Sequence, residues 1–260
     1  MSLAFVRPVP ASFADCVTAR PPHPPLDPQR ARLQHDAYRA ALAVGGFDVV
    51  EVPVAPDHPD SPFVEDTAVV LGERALATRP GHPSRRGEVE AVAAALADHL
   101  DVVRMEAPAT LDGGDVLKVG DAVFVGLSSR TNAAGIEVLS DLCGGVTAVP
   151  VERVLHLKSA VTAVDEETVL LHRPSLDAAA FEGLRVLDAP GEDPEAANVV
   201  RLPDGRLLVA EHHAASADLL TAHGHRVVTV DVSEFARADG GLTCLSVRVR
   251  GGSGLVRHSP

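Results

Sequence analysis

Cys244 lies in the stretch Asp239-Gly-Gly-Leu-Thr-Cys244, just ahead of the alternating run Leu-Ser-Val-Arg-Val. A cysteine inside a strand is usually an inert small hydrophobe, whereas one at a strand's mouth, after flexible glycines, can face a cleft. Taken alone, Cys244 fits the inert reading better, because most free cysteines are simply buried. Its company changes the balance. Glu65 and Asp66, Asp112 and Asp115, His156, and Asn198 head other β-rich runs, at intervals of 42 to 47 residues that end at Cys244. Singly, the acids could be a solvated strand end or a turn, His156 a satisfied core histidine, and Asn198 a structural amide. In a common register they supply a nucleophile, a proton shuttle and binders for a cation. Cys143, before Gly144-Gly145, and Cys16, in an N-terminal segment without that context, read as structural.

Those residues must be positioned by something periodic. Each head is followed by a β-rich run, a tight turn and a second β-rich run, with Asp204-Gly205 the strongest hairpin signal. The run opened by Cys244 lacks a downstream partner and is expected to pair with Leu3–Arg7. Helical patterns follow at 28–44, 88–100 (with Ser84 as an N-cap), 132–142 and 214–223, and short apolar strands come after them. The unit is β-β-α-β, repeated five times, and a near-constant period in this range indicates a repeat architecture. Five such units closing in a ring predict a single-domain α/β fold spanning 1–260, a five-bladed α/β propeller with the heads near its axis. An ordinary α/β sheet is the alternative.

Composition bounds the partners. The chain has 260 residues and a formal net charge of −13, which argues against nucleic acid or an anionic membrane, since phosphate binding needs clustered Lys and Arg. It suits a cationic small molecule, although acidity can also serve solubility alone. Three cysteines without a C-x-x-C pair make a poor disulfide framework and point to a reducing, cytoplasmic setting. No window approaches the roughly 20 apolar residues of a membrane span. The Ala/Arg/Val-rich, Lys-poor usage suggests a GC-rich bacterial source. The Pro-rich stretch Arg20–Pro28 reads as a loop that could cover a site.

The motifs Phe63–Asp66, Thr78–Gly81 with Ser84–Arg86, Leu111–Leu117, Phe124–Ser128 with Arg130–Asn132, Leu155–Ser159 and Asp239–Cys244 resemble the dimethylarginine dimethylaminohydrolases. These belong to the guanidino-group-modifying superfamily, with arginine deiminases and amidinotransferases. The resemblance covers almost the whole chain and implies the five-bladed α/β propeller. It implies Cys244 as nucleophile, His156 as general acid and then base, and Asp112 as the acid assisting the histidine. Asp60, Glu65 and Asp66 match residues holding the substrate's guanidinium and amino ends, and Arg85 and Arg130 match those binding its α-carboxylate. Asp239 with the backbone of Ala238 matches the last binding position, where a bulkier apolar residue than Ala238 is usual. The loop position near Thr18 does not align cleanly.

The reading that follows is hydrolysis of mono- or dimethylarginine to citrulline and a methylated amine, with no cofactor and no metal. Zinc is disfavoured because the His/Cys/Asp set lacks local metal-ligand spacing. The alternatives are an arginine deiminase-like hydrolase, against which the lack of an inserted helical domain counts, and a non-catalytic propeller that binds a ligand. Homodimerisation is left open.

Overall fold

The computed structural model describes residues 1–251. Its strands form five three-stranded sheets. β1 (Leu3–Val6) and β2 (Asp48–Glu51) share a sheet with β15 (Val247–Val249), so the two ends of the chain close one blade. The other blades follow in order: β3 (Ala68–Leu71), β4 (Arg74–Ala77) and β5 (Asp101–Arg104); β6 (Val116–Val119), β7 (Ala122–Leu127) and β8 (Thr147–Pro150); β9 (Val161–Ala163), β10 (Thr168–Leu171) and β11 (Arg185–Asp188); β12 (Val199–Arg201), β13 (Leu207–Ala210) and β14 (Val227–Val230). In each, the first two strands of the repeat pair antiparallel and the third joins parallel after a crossover. The expected pairing of the Cys244 run with the N-terminus is seen as Leu3 opposite Val249.

Middle strands covered on both faces should be apolar throughout, and β10 (Thr-Val-Leu-Leu) and β13 (Leu-Leu-Val-Ala) are buried at every position. Crossovers are made by α1 (Pro28–Val44), α2 (Val89–Ala97), α3 (Ala133–Cys143) and α4 (Ala214–Ala222); a short α5 (Ser233–Ala236) follows β14. Asp27 caps α1 through the Gln29 and Arg30 amides, and Asn132 caps α3 through Gly135. Two expectations are corrected. Ser84 is no N-cap: it sits in a 3-10 turn, Pro83–Glu88, and its Oγ bonds His82 instead. The fourth crossover has no α-helix, only a 3-10 turn at Ala178–Phe181 between Pro174 and Gly183 (φ 90°). Phe181 fills the space, its ring 5.1 Å from that of Phe124.

The first strand of each repeat (β3, β6, β9, β12, β15) lines the axis. Immediately before each comes a 3-10 turn: Val64–Thr67, Gly113–Asp115, Leu157–Ser159, Pro194–Ala197 and Thr243–Leu245. These turns touch one another in sequence round the ring. The residues that head the repeats are thereby gathered at one end of the axis.

Candidate active site

The turn carrying Cys244 is held by its neighbour in the ring. Asn198 donates from Nδ2 to the Lys158 carbonyl (2.9 Å) and to Thr243 Oγ1 (3.1 Å), and its Oδ1 accepts from the Thr243 amide (3.0 Å). Asn198 thus ties the residue before Cys244 to the turn after His156. The contact is so close that a Cβ on Gly241 would fall 2.6 Å from the Asn198 amide carbon, and one on Gly240 would overlap the Phe63 ring, which explains the glycine pair ahead of the cysteine.

His156 is buried, with Nε2 3.0 Å from Asp112 Oδ2 and 3.9 Å from Asp66 Oδ1. Burial opposes its charge, but Asp66, the Asp112 hydrogen bond, Asp115 and the Asp112 charge together outweigh it and raise its pKa to about 9. It is an imidazolium at neutral pH. Asp112 is fixed in turn by the Gly81 amide (2.8 Å) and approached by Arg130 (3.5 Å). Asp115 stands behind the pocket: it accepts from Ser128, Thr131 and the Leu157 amide, clamping the turn next to His156. Gly114 passes so close that a Cβ would lie 2.8 Å from both His156 Nδ1 and Asp66 Oδ1. Gly114→Ala is therefore expected to displace the imidazole and cut turnover by about 100-fold or more, in line with the cost of a 1 Å misplacement; a variant retaining wild-type turnover would contradict this geometry.

Asp66 accepts from Arg85 (2.5 Å) and from the Gly114 amide (2.9 Å). Burial pushes its carboxyl up, but His156, Arg85 and that amide hold it below the usual carboxylate range. Cys244 contrasts: burial first, then the carboxylates of Glu65, Asp66 and Glu195, push its thiol well above the ordinary value. Glu195, in the turn before Asn198, is itself pushed up to about 8 by burial and by Asp193 and Asp239.

A small cavity of about 30 Å³ is lined by Asp60, Asp66, Arg85, Arg130, His156, Ala238, Asp239 and Cys244, with Val17, Phe63, Leu155 and Gly240. Asp112 and Glu65, both expected at the site, are not in its wall. Asp112 reaches it through His156. Glu65 is turned to the other side of the ring, its Oε1 bonded to Lys158 (2.5 Å) and Arg248 (3.1 Å). Arg85 lines the cavity with most of its donors committed: Nε and Nη2 bind Glu88 and the Asp60 and Phe63 carbonyls, and Nη1 binds Asp66. One Nη1 hydrogen is uncommitted among the described residues, so Arg130 is the arginine with donors to spare. Glu88, assigned from sequence to the start of a helix, is this buried partner; the i,i+3 spacing in Arg85-Arg-Gly-Glu88 was the available signal.

The loop near Thr18 also finds its place. Val17 donates its amide to Asp60 (3.1 Å) and Ala19 to Asp239 (2.5 Å), so two pocket carboxylates clasp this segment over the cavity. Asp239 adopts φ 57°, a left-handed conformation that Asp tolerates better than most residues. The pocket therefore joins a thiol, an imidazolium and three acids to one arginine with donors to spare, a match for a zwitterion with a cationic tail.

A family model described as arginine deiminase matches residues 54–189. The N(G),N(G)-dimethylarginine dimethylaminohydrolase of Streptomyces coelicolor is 47% identical over 230 residues, 86% of this chain and 88% of that one. The chain belongs to the dimethylarginine dimethylaminohydrolase family. Among solved structures, a cysteine-to-serine mutant of the Pseudomonas aeruginosa family member complexed with citrulline aligns with TM-score 0.88 and 31% identity, over 95% of this chain and 98% of that one. A histidine-to-glycine family structure forming an adduct with S-methyl-L-thiocitrulline aligns with TM-score 0.90 and 31% identity, over 96% and 100%. The fold is thus the family's five-bladed α/β propeller, as the repeat predicted. Asp66, Asp112 and His156 also place potential metal-ligand atoms within 4.8 Å of one another, but the carboxylates already accept the Arg85, Gly114, Gly81 and His156 hydrogen bonds described above.

Proposed function

We propose that this chain hydrolyses Nω-methylated L-arginine to citrulline and dimethylamine or methylamine through a covalent intermediate on Cys244. The observation that carries the reading is a cysteine sharing one pocket with an imidazolium that two carboxylates hold protonated. The resonance-stabilised guanidinium resists attack by water, so a stronger nucleophile is required. Asp66, Asp60 and Asp239 receive the cationic and amino ends, and Arg130 receives the α-carboxylate, for which a guanidinium offers bidentate geometry. Arg85 orients Asp66. The incoming cation offsets the acids that raise the Cys244 pKa, favouring the thiolate where it is needed.

The Cys244 sulfur then bonds to the guanidinium carbon. The bond to the methylated nitrogen breaks as His156 gives that nitrogen a proton, leaving a thiouronium on sulfur. Neutral His156 next takes a proton from water as the oxygen attacks the same carbon. The C–S bond breaks as the remaining hydroxyl proton passes to solvent or the departing amine, Cys244 leaves as thiolate and neutral citrulline is released. Asp112 keeps the imidazole oriented through both transfers. The net charge of −13 supports an enzyme without nucleic-acid partners, and we propose that it acts as a single-domain cytoplasmic enzyme, alone or as a homodimer. Among the described residues no helix is long and apolar enough to cross a membrane.

The description of the matching family model favours a second reading, an arginine deiminase-like hydrolase. Citrulline release from asymmetric dimethylarginine, monomethylarginine and arginine separates the two. The methylated substrates are expected to give kcat/KM at least about tenfold above arginine, a margin that small differences in pocket fit can supply. Turnover of arginine alone would reverse the assignment.

A further inference from the structure

The axis continues beyond Glu65 as a second, larger cavity of about 350 Å³, bounded by the inner strands of all five blades. Its charge is opposite to that of the chain. Five cationic side chains, Lys118, Lys158, Arg201, Arg248 and Arg250, line it, against the two carboxylates of Glu65 and Glu166, in a protein of net charge −13. The chain contains two lysines, and both are here.

The carboxylates account for only part of this set. Glu65 pairs with Lys158 and Arg248, and Glu166 with Arg201 at 2.6 Å. Lys118 and Arg250 have no carboxylate within ion-pair distance among the described residues. Each makes one backbone contact, Lys118 Nζ to the Val70 carbonyl (2.5 Å) and Arg250 to the Arg201 carbonyl (3.2 Å), which leaves most of their donors uncommitted. Such crowding is unfavourable without a counter-charge. Both side chains keep access to solvent within the cavity; desolvation by the surrounding walls, then Lys158, Arg250 and Arg248, lowers the Lys118 pKa to about 8, and desolvation, then Arg201 and Arg248, lowers that of Arg250 to about 10.

We propose that this axial cavity is a binding site for a doubly charged oxyanion, a phosphate group held between Lys118 and Arg250 and distinct from the Cys244 pocket on the other side of Glu65. The surplus of positive charge fits a dianion, and an ammonium and a guanidinium are the donors that phosphate oxygens engage best. The cavity can accept inorganic phosphate or the phosphoryl end of a small phosphomonoester.

Calorimetric titration of the full chain at pH 7 and constant ionic strength, with inorganic phosphate and separately with glycerol phosphate, tests this. Saturable one-to-one binding of either is expected, and the tighter of the two identifies the source of the phosphate group. Lys118→Gln and Arg250→Gln are each expected to weaken it about tenfold or more, the effect of losing one charge-assisted contact, while citrulline formation is unchanged. Acylation by an amine-reactive reagent supplies a readout in the unaltered chain: phosphate should slow modification of Lys118 severalfold and leave the N-terminal amine unaffected. Binding undiminished in both variants, no saturable binding up to about 10 mM of either ligand, or acylation of Lys118 indifferent to phosphate would each overturn the assignment.

Discussion

Replacing Cys244 by serine is expected to lower citrulline release by about 10⁴-fold or more while leaving methylarginine binding within a few-fold of the native value. A hydroxyl in place of the thiol removes the attacking atom's nucleophilicity, and loss of a nucleophile elsewhere typically costs that much or more. Binding survives because the groups that hold the cation and carboxylate, Asp60, Asp66, Asp239 and Arg130, are untouched and are anchored by other elements. Mass spectrometry of the native chain quenched during turnover should place the adduct on Cys244. Cys16 is bonded to the Pro59 carbonyl, and burial followed by Asp60 pushes its thiol up; Cys143 is tied to the Leu139 carbonyl at a helix end. Label on either of these with Cys244 unmodified, or residual activity in the serine variant near the native rate, would remove Cys244 from the mechanism.

His156→Gly should cost about 10² to 10⁴ in turnover of methylarginine, the range for loss of a positioned acid–base group. The loss should depend on the leaving group. A thiol leaves without a proton from His156, so a thioether analogue should still load Cys244, and the adduct should accumulate because no base remains to activate water. Equal impairment of both loading steps would argue against the acid role. In the native enzyme kcat/KM is expected to fall as pH rises through about 9, where His156 loses its proton. Asp66→Asn removes the foremost charge sustaining that proton and should move this limb to lower pH. The same shift bears on stability. The folded pKa of His156 lies above its ordinary 6.5, so its contribution is fully present below about pH 6.5 and lost as pH rises through about 9.

The repeat was legible because a β-β-α-β unit uses a nearly fixed length of chain, so the heads 65, 112, 156, 198 and 244 recur at a near-constant interval. The structure places all five at or beside the 3-10 turns that open the inner strands. Asn198 was also legible, as an amide serving backbone. The missing fourth helix was less so: Ala178-Ala-Ala-Phe has helix-forming residues, and tertiary packing of Phe181 decides for a 3-10 turn.

The order of reactive residue types along the chain, and their common phase within the repeat, were written in the sequence, since local pattern sets where each strand and turn begins. Their division into two chambers was not. Glu65 and Asp66 are neighbours, yet one faces Lys158 and Arg248 while the other faces Arg85 and His156. Arg85, at a position matching a carboxylate binder, also pairs with Asp66 and Glu88, and the two lysines meet in a cationic cavity although 40 residues separate them. Closure of the ring decides these facts. It brings together residues from different blades, and which charge meets which depends on the direction each side chain takes across the axis, a long-range property that no local spacing encodes.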